Sequence, residues 1–146
     1  MNNSLICVDA SIIVDRLVSF DEDRLQALWS GWIEDEMQLV APQLLRYEVT
    51  NMLYQIAKKA RLSKAVTSEA IQMLIALPIK LYDDPLLHEK AFGLAQELAL
   101  GATYDAHYLA LARHLNCQFW TRDAKLARAA QPKYDWVRLL DYERPA

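Results

Sequence analysis

The first apolar run of the chain, residues 5–8 (Leu-Ile-Cys-Val), is short and ends abruptly at Asp9. A continuous apolar run of this length is typical of a strand that is buried on both faces, as in the parallel sheets of α/β proteins. Asp9 would then lie at the carboxyl end of that strand, which is where binding sites form in such sheets. This one feature therefore predicts both the fold class and the place of the site.

Short strands and helices alternate along the rest of the sequence. Further strands are predicted at 38–41, 79–82, 118–121 and 136–140, and helices at 11–17, 21–36, 42–61, 66–77, 86–100, 104–112 and 124–130. This alternation predicts a single α/β domain over residues 1–146, with a mainly parallel central sheet of about five short strands flanked by helices.

Three residues are predicted to set the ends of helices. Ser11 is expected to cap the first helix, and Thr103 is expected to cap the helix that carries Asp105. Gly101 is expected to close the helix that begins after Pro85. These assignments rest on local residue preferences alone.

The composition indicates a globular protein with a buried core, since hydrophobic residues make up 53% of the chain and charged residues 24%. Cys7 and Cys117 each lie in an apolar, strand-forming run, which favours two buried thiols over a disulfide and predicts a reducing, cytoplasmic location. The first residues lack the basic region of a signal peptide, and we expect no membrane-spanning segment.

The charges are unevenly distributed, although the net charge is only −3. An acidic chain is not expected to bind polyanions in general. However, residues 58–80 contain five bases and one acid, and residues 112–146 contain seven bases and four acids. The protein could therefore present basic strips beside an acidic centre, and ordinary solvated surface charge explains the pattern equally well.

Asp105 is an acid inside an otherwise apolar, helix-forming run, so it needs a hydrogen-bonding partner or a metal ion. Asp9, Glu48 and Asp123 are predicted to lie at strand ends or at the edge of a helix core stripe. If the four converge, each pair about 5 Å apart repels by about 3 kcal/mol at an effective dielectric constant near 20. Protonation or a hard divalent cation, Mg²⁺ or Mn²⁺, would relieve this repulsion.

A zinc site is not predicted, because neither cysteine lies in a Cys-x-x-Cys pair and His88, His107 and His114 lack ligand spacing. The three histidines are expected on different helices or faces, as surface or core residues rather than bases. A magnesium ion held by few carboxylates keeps water molecules, one of which can attack phosphorus. The chemistry indicated is phosphodiester hydrolysis.

Other interpretations of the same acids remain open at this point. Asp9 and Asp105 could be helix caps or hydrogen-bonded core residues, and Asp123 is a good N-cap for the helix after it. The domain could instead be a Mg²⁺-binding phospho-receiver, although only Arg138 lies near the last strand, where such a domain would have a lysine. A phosphatase with an aspartate nucleophile would need a second Asp where Ser11 stands.

Four segments of the chain resemble, in the right order, the motifs of PIN-domain ribonucleases, and specifically of the small VapC-type toxins of prokaryotic toxin–antitoxin pairs. The segments are 9–11 (Asp-Ala-Ser), 48–51 (Glu-Val-Thr-Asn), 105–106 (Asp-Ala) and 121–123 (Thr-Arg-Asp). Each motif is weak alone, but together they span nearly the whole chain. Ala10 departs from the pattern, because a second hydroxyl residue is often found there.

The resemblance implies a Mg²⁺- or Mn²⁺-dependent endoribonuclease that inhibits translation as the toxin of such a pair. It implies an antitoxin partner and a homodimer, and a housekeeping RNA-processing nuclease is the alternative. The implied catalytic metal ligands are Asp9, Glu48, Asp105 and Asp123, and the implied supporting polar residues are Ser11, Asn51 and Thr121.

Basic and aromatic residues give two further expectations. Basic side chains near the acidic motifs in sequence could hold RNA phosphates, and solvated surface residues explain them nearly as well; they are Arg16, Arg46, Arg122 and Lys125. In the helix 21–36 an apolar face is predicted from Leu25, Leu28, Trp29, Trp32 and Ile33. Tryptophans are mostly core residues, but this face could also be a docking groove for an antitoxin segment.

Overall fold

The structure is a computed structural model that describes residues 1–18 and 22–142. Within these ranges the strands are β1 (Leu5–Val8), β2 (Gln38–Pro42), β3 (Ile79–Tyr82), β4 (Gln118–Thr121) and β5 (Val137–Leu139). The helices are α1 (Ala10–Val18), α2 (Asp23–Glu34), α3 (Leu44–Ala60), α4 (Lys64–Ala76), α5 (Leu86–Glu97), α6 (Tyr104–Leu115) and α7 (Ala124–Ala130).

All the strands pair in parallel, in the order β3-β2-β1-β4-β5, with β1 at the centre. Cys7 of β1 lies opposite Val40 of β2 and Phe119 of β4, and all three side chains are buried. The chain moves to one side of β1 to form β2 and β3, and to the other side to form β4 and β5. The strand order therefore reverses between β1 and β4, where a crevice forms at the carboxyl ends of parallel strands.

Helix α6 packs on the middle of the sheet, against β1, β2 and β4. Ala106, Leu109 and Ala110 of this helix are buried. The Cys7 thiol lies 3.7 Å from the carbonyl oxygen of Tyr108. Close packing of this helix fixes its first turn, which contains Asp105, over the crevice.

The predicted α/β domain with a parallel sheet of five strands is confirmed. The three strands predicted at 5–8, 79–82 and 118–121 match the observed bounds, while β2 is one residue longer and β5 two residues shorter than predicted. Cys7 and Cys117 are buried free thiols, and burial raises the pKa of both. None of the helices in the described ranges is both long and apolar enough to cross a bilayer.

The predicted helix ends were wrong at two places, and at a third, the N-cap residue Thr103 of α6, the position is correct but the cap hydrogen bond is missing. Asp9, not Ser11, caps α1, because the Asp9 carboxylate accepts hydrogen bonds from the first-turn backbone. Helix α5 ends at Glu97, and Ala99 rather than Gly101 takes the left-handed conformation, with φ of 52°. The Thr103 side chain makes no cap hydrogen bond. The helical hydrogen bonds of α5 stop before Gly101, so this glycine is not the residue that ends the helix.

The apolar face of α2 is core rather than a docking groove. Trp29 and Trp32 are both buried, and the Trp32 ring packs edge-on against Trp120 with ring centres 6.0 Å apart. Ile33, which was expected on the same face, is 66% exposed because it lies at the margin of the helical stripe. Asp21, the predicted first residue of this helix, lies outside the described residues.

Candidate active site

Asp9 is the most enclosed acid of the site, with 5% of its surface exposed. Its Oδ1 accepts hydrogen bonds from the Ser11 backbone N–H (3.0 Å), the Ile12 N–H (3.4 Å) and the Ser11 hydroxyl. The Thr121 hydroxyl donates to its Oδ2. The carboxyl group is therefore held in one orientation by Ser11 and Ile12, which follow β1, and by Thr121, the last residue of β4.

The surroundings of Asp9 disfavour its ionised form. Burial raises the pKa of Asp9 from 3.8 to about 7, the hydrogen bonds from Ser11 and Thr121 lower it only in part, and the charge of Asp105 raises it further. A carboxyl group with this pKa changes its charge near neutral pH, when no cation is bound. Such groups are found mainly at functional sites.

The charge of Asp105 interacts with the charges of the other three predicted acids. Asp105 lies half-buried in the first turn of α6, where burial raises its pKa and the charges of Glu48 and Asp123 raise it further. Since Asp105 also acts on Asp9, all four carboxylates belong to one electrostatic cluster at the carboxyl edge of the sheet. The sequence placed these residues at four separate points, and the fold brings them together.

Glu48 is held by a residue that the sequence analysis missed. The buried Tyr108 donates a hydrogen bond from its hydroxyl to Glu48 Oε1, at 2.6 Å, between α6 and α3. Burial and the Glu48 carboxylate keep the pKa of Tyr108 well above its ordinary value, so the phenol remains a donor. The sequence indicated only that Tyr108, three residues after Asp105, lies on the same face of α6, and it did not indicate that Glu48 lies opposite.

The position of Asp123 is compatible with both roles considered from the sequence, which are helix cap and cation ligand. Its Oδ1 caps α7 by accepting hydrogen bonds from the N–H groups of Lys125 (3.0 Å) and Leu126 (3.1 Å). Its own N–H donates to the Thr121 hydroxyl oxygen at 3.0 Å. Only one carboxylate oxygen is used in the cap, so the exposed side chain keeps Oδ2 for a ligand.

Two hydroxyl groups connect the acids to the backbone after β4. Ser11 donates to Asp9 and accepts from the Arg122 N–H at 2.9 Å, while Thr121 donates to Asp9 and accepts from the Asp123 N–H. Each hydroxyl therefore has both a donor and an acceptor partner. Asn51, the third supporting residue predicted, is exposed on α3 one turn after Glu48.

The donor set fits a hard divalent cation by its chemistry. It consists of carboxylate oxygens that repel one another, which is the arrangement that Mg²⁺ or Mn²⁺ stabilises. In the described part of the chain, no group of three or more Asp, Glu, His or Cys side chains is arranged so that it could hold a metal ion. An open set of carboxylates suits an ion that retains several water molecules.

Arg122 does not face solvent, so its expected contact with an RNA phosphate was wrong. Its side chain is 0% exposed, with Nε 3.3 Å from Asp15 Oδ2 and an Nη2 hydrogen bond of 2.5 Å to Glu22 Oε1. The guanidinium also lies over the ring of Tyr142, 4.0 Å from its centre. These contacts give Arg122 a structural role directly beside the acidic cluster.

The other three cations predicted to contact phosphates differ in exposure. Arg16 is half-buried, with its guanidinium 5.3 Å from the ring centre of Trp29, whereas Arg46 and Lys125 are exposed. Lys125 lies in the first turn of α7, directly after Asp123. For these three residues the phosphate contact stays a prediction.

His88 and His107 lie on different helices, as expected, and their rings contact each other. His88 Nδ1 and His107 Nε2 are 3.0 Å apart, and His107 Nδ1 lies 2.8 Å from the Thr103 carbonyl oxygen. Since the carbonyl can only accept, His107 Nδ1 is the donor to it, and in the neutral ring Nε2 then accepts from His88 Nδ1. His114 contacts Lys90 at 3.2 Å. Their observed partners are not acids of the cluster, as expected for residues that are not bases.

The raised pKa of Asp9 predicts how stability depends on pH. Between pH 3.8 and about 7 the native state keeps the Asp9 proton that the unfolded chain has released. Without divalent cations, the free energy of unfolding should therefore fall as pH rises through this range, by up to about 1.4 kcal/mol per pH unit. Urea unfolding at several pH values would measure the slope. The Asp9→Asn variant should show a shallower slope, and equal slopes would contradict the assignment.

Comparison with known proteins gives consistent results for sequence and fold. The PIN domain family model matches residues 7–134. Ribonuclease VapC9 of Mycobacterium tuberculosis is 32% identical over 94 residues, which are 64% of this chain and 72% of that protein. A chain of a toxin–antitoxin complex from Klebsiella pneumoniae is similar in fold, with a TM-score of 0.67 at 20% identity, over 95% of this chain and 99% of that chain. VapBC2 from Rickettsia felis, bound to a DNA fragment from its promoter, gives a TM-score of 0.66 at 12% identity with the same coverage.

Proposed function

The chain belongs to the PIN domain family, and on this premise we propose that it is an endoribonuclease that hydrolyses RNA phosphodiester bonds as the toxin of a toxin–antitoxin pair. The similarity to VapC ribonucleases covers more than two thirds of their length. Family membership also removes the phospho-receiver and the aspartate phosphatase from consideration.

The observation that carries the proposal is the acidic cluster at the sheet crevice. Asp9, Glu48, Asp105 and Asp123 come from four different elements, and burial and mutual repulsion raise the pKa of Asp9 to about 7 and also raise that of Asp105. Like charges gathered in a partly buried crevice, with raised pKa values, are typical of functional sites. The cluster favours a cationic ligand.

We assign to these four residues the binding of Mg²⁺ or Mn²⁺. When bound, the ion supplies an activated water and charge stabilisation for the leaving oxygen of the phosphodiester. Because oxygen ligands are shared by both ions, the donor set favours neither of them over the other.

The other polar residues hold the cluster in position. The hydroxyls of Ser11 and Thr121 fix the two oxygens of Asp9, and the Tyr108 hydroxyl fixes Glu48. Side chains that are locked before substrate arrives do not have to be ordered during the reaction, which lowers the barrier. Attack by water on phosphorus in this arrangement is expected to leave a 5′-phosphate and a 3′-hydroxyl.

The function is tested by incubating purified protein with total RNA in Mg²⁺, in Mn²⁺ and in excess EDTA. We expect internal cleavage with either ion and none in EDTA, because the repelling carboxylates need a cation to work together. End-labelling of the products checks for 5′-phosphates. Equal cleavage in EDTA would contradict the metal requirement, and no cleavage under any of these conditions would contradict the nuclease.

The partner proposed is a cognate antitoxin protein. The Klebsiella pneumoniae structure is itself described as a toxin–antitoxin complex, which supports a partner of this kind. A homodimer and a cytoplasmic location belong to the same proposal, and the two buried free thiols suit a reducing compartment. A housekeeping RNA-processing role is the alternative, and it predicts that expression of the active protein does not harm the cell.

A further inference from the structure

Two histidines on neighbouring helices, here named the histidine pair, bring one ring nitrogen each to the same point of the surface. His88 of α5 is exposed, His107 of α6 is half-buried, and His88 Nδ1 lies 3.0 Å from His107 Nε2. The ring planes are inclined at 71° to each other, with ring centres 5.1 Å apart. Leu87 and Ala106, their neighbours in the chain, are buried, so the core holds both backbones in place.

The distance between the two nitrogens is that of neighbouring ligands of one metal ion. An imidazole nitrogen binds Zn²⁺ at about 2.0–2.1 Å. Two such nitrogens that subtend an angle of about 90–110° at the ion are therefore about 2.9–3.4 Å apart. The observed 3.0 Å lies within this range, so the two rings need only turn toward a common point to share an ion.

His107 is already held in the way that a metal ligand is held. Its Nδ1 donates to the Thr103 carbonyl oxygen at 2.8 Å, which leaves Nε2 as the nitrogen with the free lone pair. Histidines that bind metals almost always donate their other ring N–H to a carbonyl or a carboxylate, which fixes the tautomer and the ring orientation. His88 becomes the second ligand when its proton moves from Nδ1 to Nε2, and both rings stay neutral.

The histidine pair is separate from the acidic cluster in position and in chemistry. His107 follows Asp105 by two residues, which is about 200° around the helix, so their side chains leave α6 in different directions. Carboxylate oxygens suit Mg²⁺ and Mn²⁺, whereas imidazole nitrogens suit Zn²⁺, Ni²⁺ and Cu²⁺. The two sites are therefore expected to select different ions.

We propose that the histidine pair binds one borderline transition-metal ion, of the class of Zn²⁺, Ni²⁺ and Cu²⁺, between α5 and α6. No group of three or more Asp, Glu, His or Cys side chains could hold an ion in the described residues, so the two imidazoles are the protein ligands and water completes the coordination. Because the two nitrogens come together only in the folded chain, the ion also links the two helices. This inference goes beyond the proposed function and does not depend on it.

Isothermal titration calorimetry with Zn²⁺ tests the site, on protein without a polyhistidine tag and with Mg²⁺ in excess. We expect one Zn²⁺ per chain in the wild type. His88→Gln and His107→Gln should each weaken the Kd at least about tenfold, because each removes one of two ligands. His114→Gln is the matched control and should leave the Kd unchanged, since His114 contacts Lys90 and lies about 10 Å farther along α6 than His107.

A spectroscopic measurement separates a ligand from a residue that only supports the fold. Electron paramagnetic resonance of the Cu²⁺-loaded protein should show coupling to two nitrogens in the wild type and to one in His88→Gln. Since His88 is exposed, this variant is expected to fold, and circular dichroism checks that it does. The same nitrogen coupling in both proteins would overturn the proposal.

The calorimetric results also decide between the histidine pair and other places for the ion. Absence of Zn²⁺ binding to the wild type, or an unchanged Kd in both His88→Gln and His107→Gln, would overturn the proposal and leave a hydrogen bond between two helices. Binding that is lost in Asp9→Asn but kept in His88→Gln would place the ion in the acidic cluster and overturn it as well. Histidine-dependent binding by a protein that cleaves no RNA would support the histidine pair and contradict the nuclease, whereas cleavage with histidine-independent binding would do the reverse.

Discussion

Asp9→Asn is expected to lower the rate of RNA cleavage in Mg²⁺ by about a hundredfold or more, because it removes one charge from the cation site proposed above. The asparagine Oδ1 can still accept from the N–H groups of Ser11 and Ile12, so the cap of α1 remains. The variant therefore separates the charge of Asp9 from its structural role. Initial rates at saturating Mg²⁺ are the measurement.

Asp84→Asn is the matched control for Asp9→Asn. Asp84 also lies just after a strand and accepts a 3.0 Å hydrogen bond from the N–H of Leu86, the first residue of α5, but it is not among the four linked acids. The Asp84→Asn variant should cleave RNA at the wild-type rate. Equal losses in the two variants would mean that cap geometry, not the acidic cluster, limits the reaction.

The stability of Asp9→Asn is expected to be at least that of the wild type at about pH 8 without metal. The ionised wild-type site contains like charges in a buried crevice, and the neutral amide relieves that repulsion. Thermal unfolding in EDTA measures this difference, and Asp105→Asn is expected to behave in the same way. A large fall in melting temperature for both variants would show that these acids are structural caps.

A growth assay gives a second measurement on Asp9→Asn, in living cells. Expression of the wild type should stop growth, expression of the variant should not, and co-expression of an antitoxin should rescue the wild type. Harmless expression of a wild type that cleaves RNA in the test tube would favour a housekeeping nuclease.

The fold was predictable because its signals are local. The central strand β1 is a continuous apolar run, the other strands are short runs rich in apolar residues, and segments with helical periodicity separate them. Gly101 shows the limit of this reasoning, because a glycine near the end of a helix need not be the residue that ends it. Ala99 took the left-handed conformation two residues earlier, where the hydrogen bonds of α5 stopped.

The acids of the site were predictable for a different reason. Asp9 and Asp123 follow neighbouring parallel strands, so the fold class alone places them at one edge of the sheet. Their partners were not predictable, since the hydrogen bond from Tyr108 to Glu48 joins residues 60 positions apart. Periodicity says which face of a helix is buried, but it does not say which polar group on another helix lies opposite.

Arg122 is the clearest case of a partner that local sequence could not reveal. It was expected to face RNA because it lies between Thr121 and Asp123, yet alternation along the chain turns it away from the cluster and into the protein. There it meets Asp15 at the end of α1 and Glu22 before α2, residues 100 positions or more earlier in the chain. It joins these segments to the backbone that positions Thr121 and Asp123.

Arg122→Met is therefore expected to lower the free energy of unfolding by about 3–5 kcal/mol, because it leaves Asp15 and Glu22 partly buried without their cation. Urea unfolding measures the change. Lys133→Met is the matched control, since its 3.7 Å ion pair with Glu97 is exposed and its loss should change stability by less than about 1 kcal/mol. Adding Asp15→Asn to Arg122→Met should recover part of the loss, because one of the two unpaired charges is then removed. Equal effects of the two methionine variants would contradict a structural role for Arg122, and an intact fold with lost cleavage would instead place its guanidinium in the reaction.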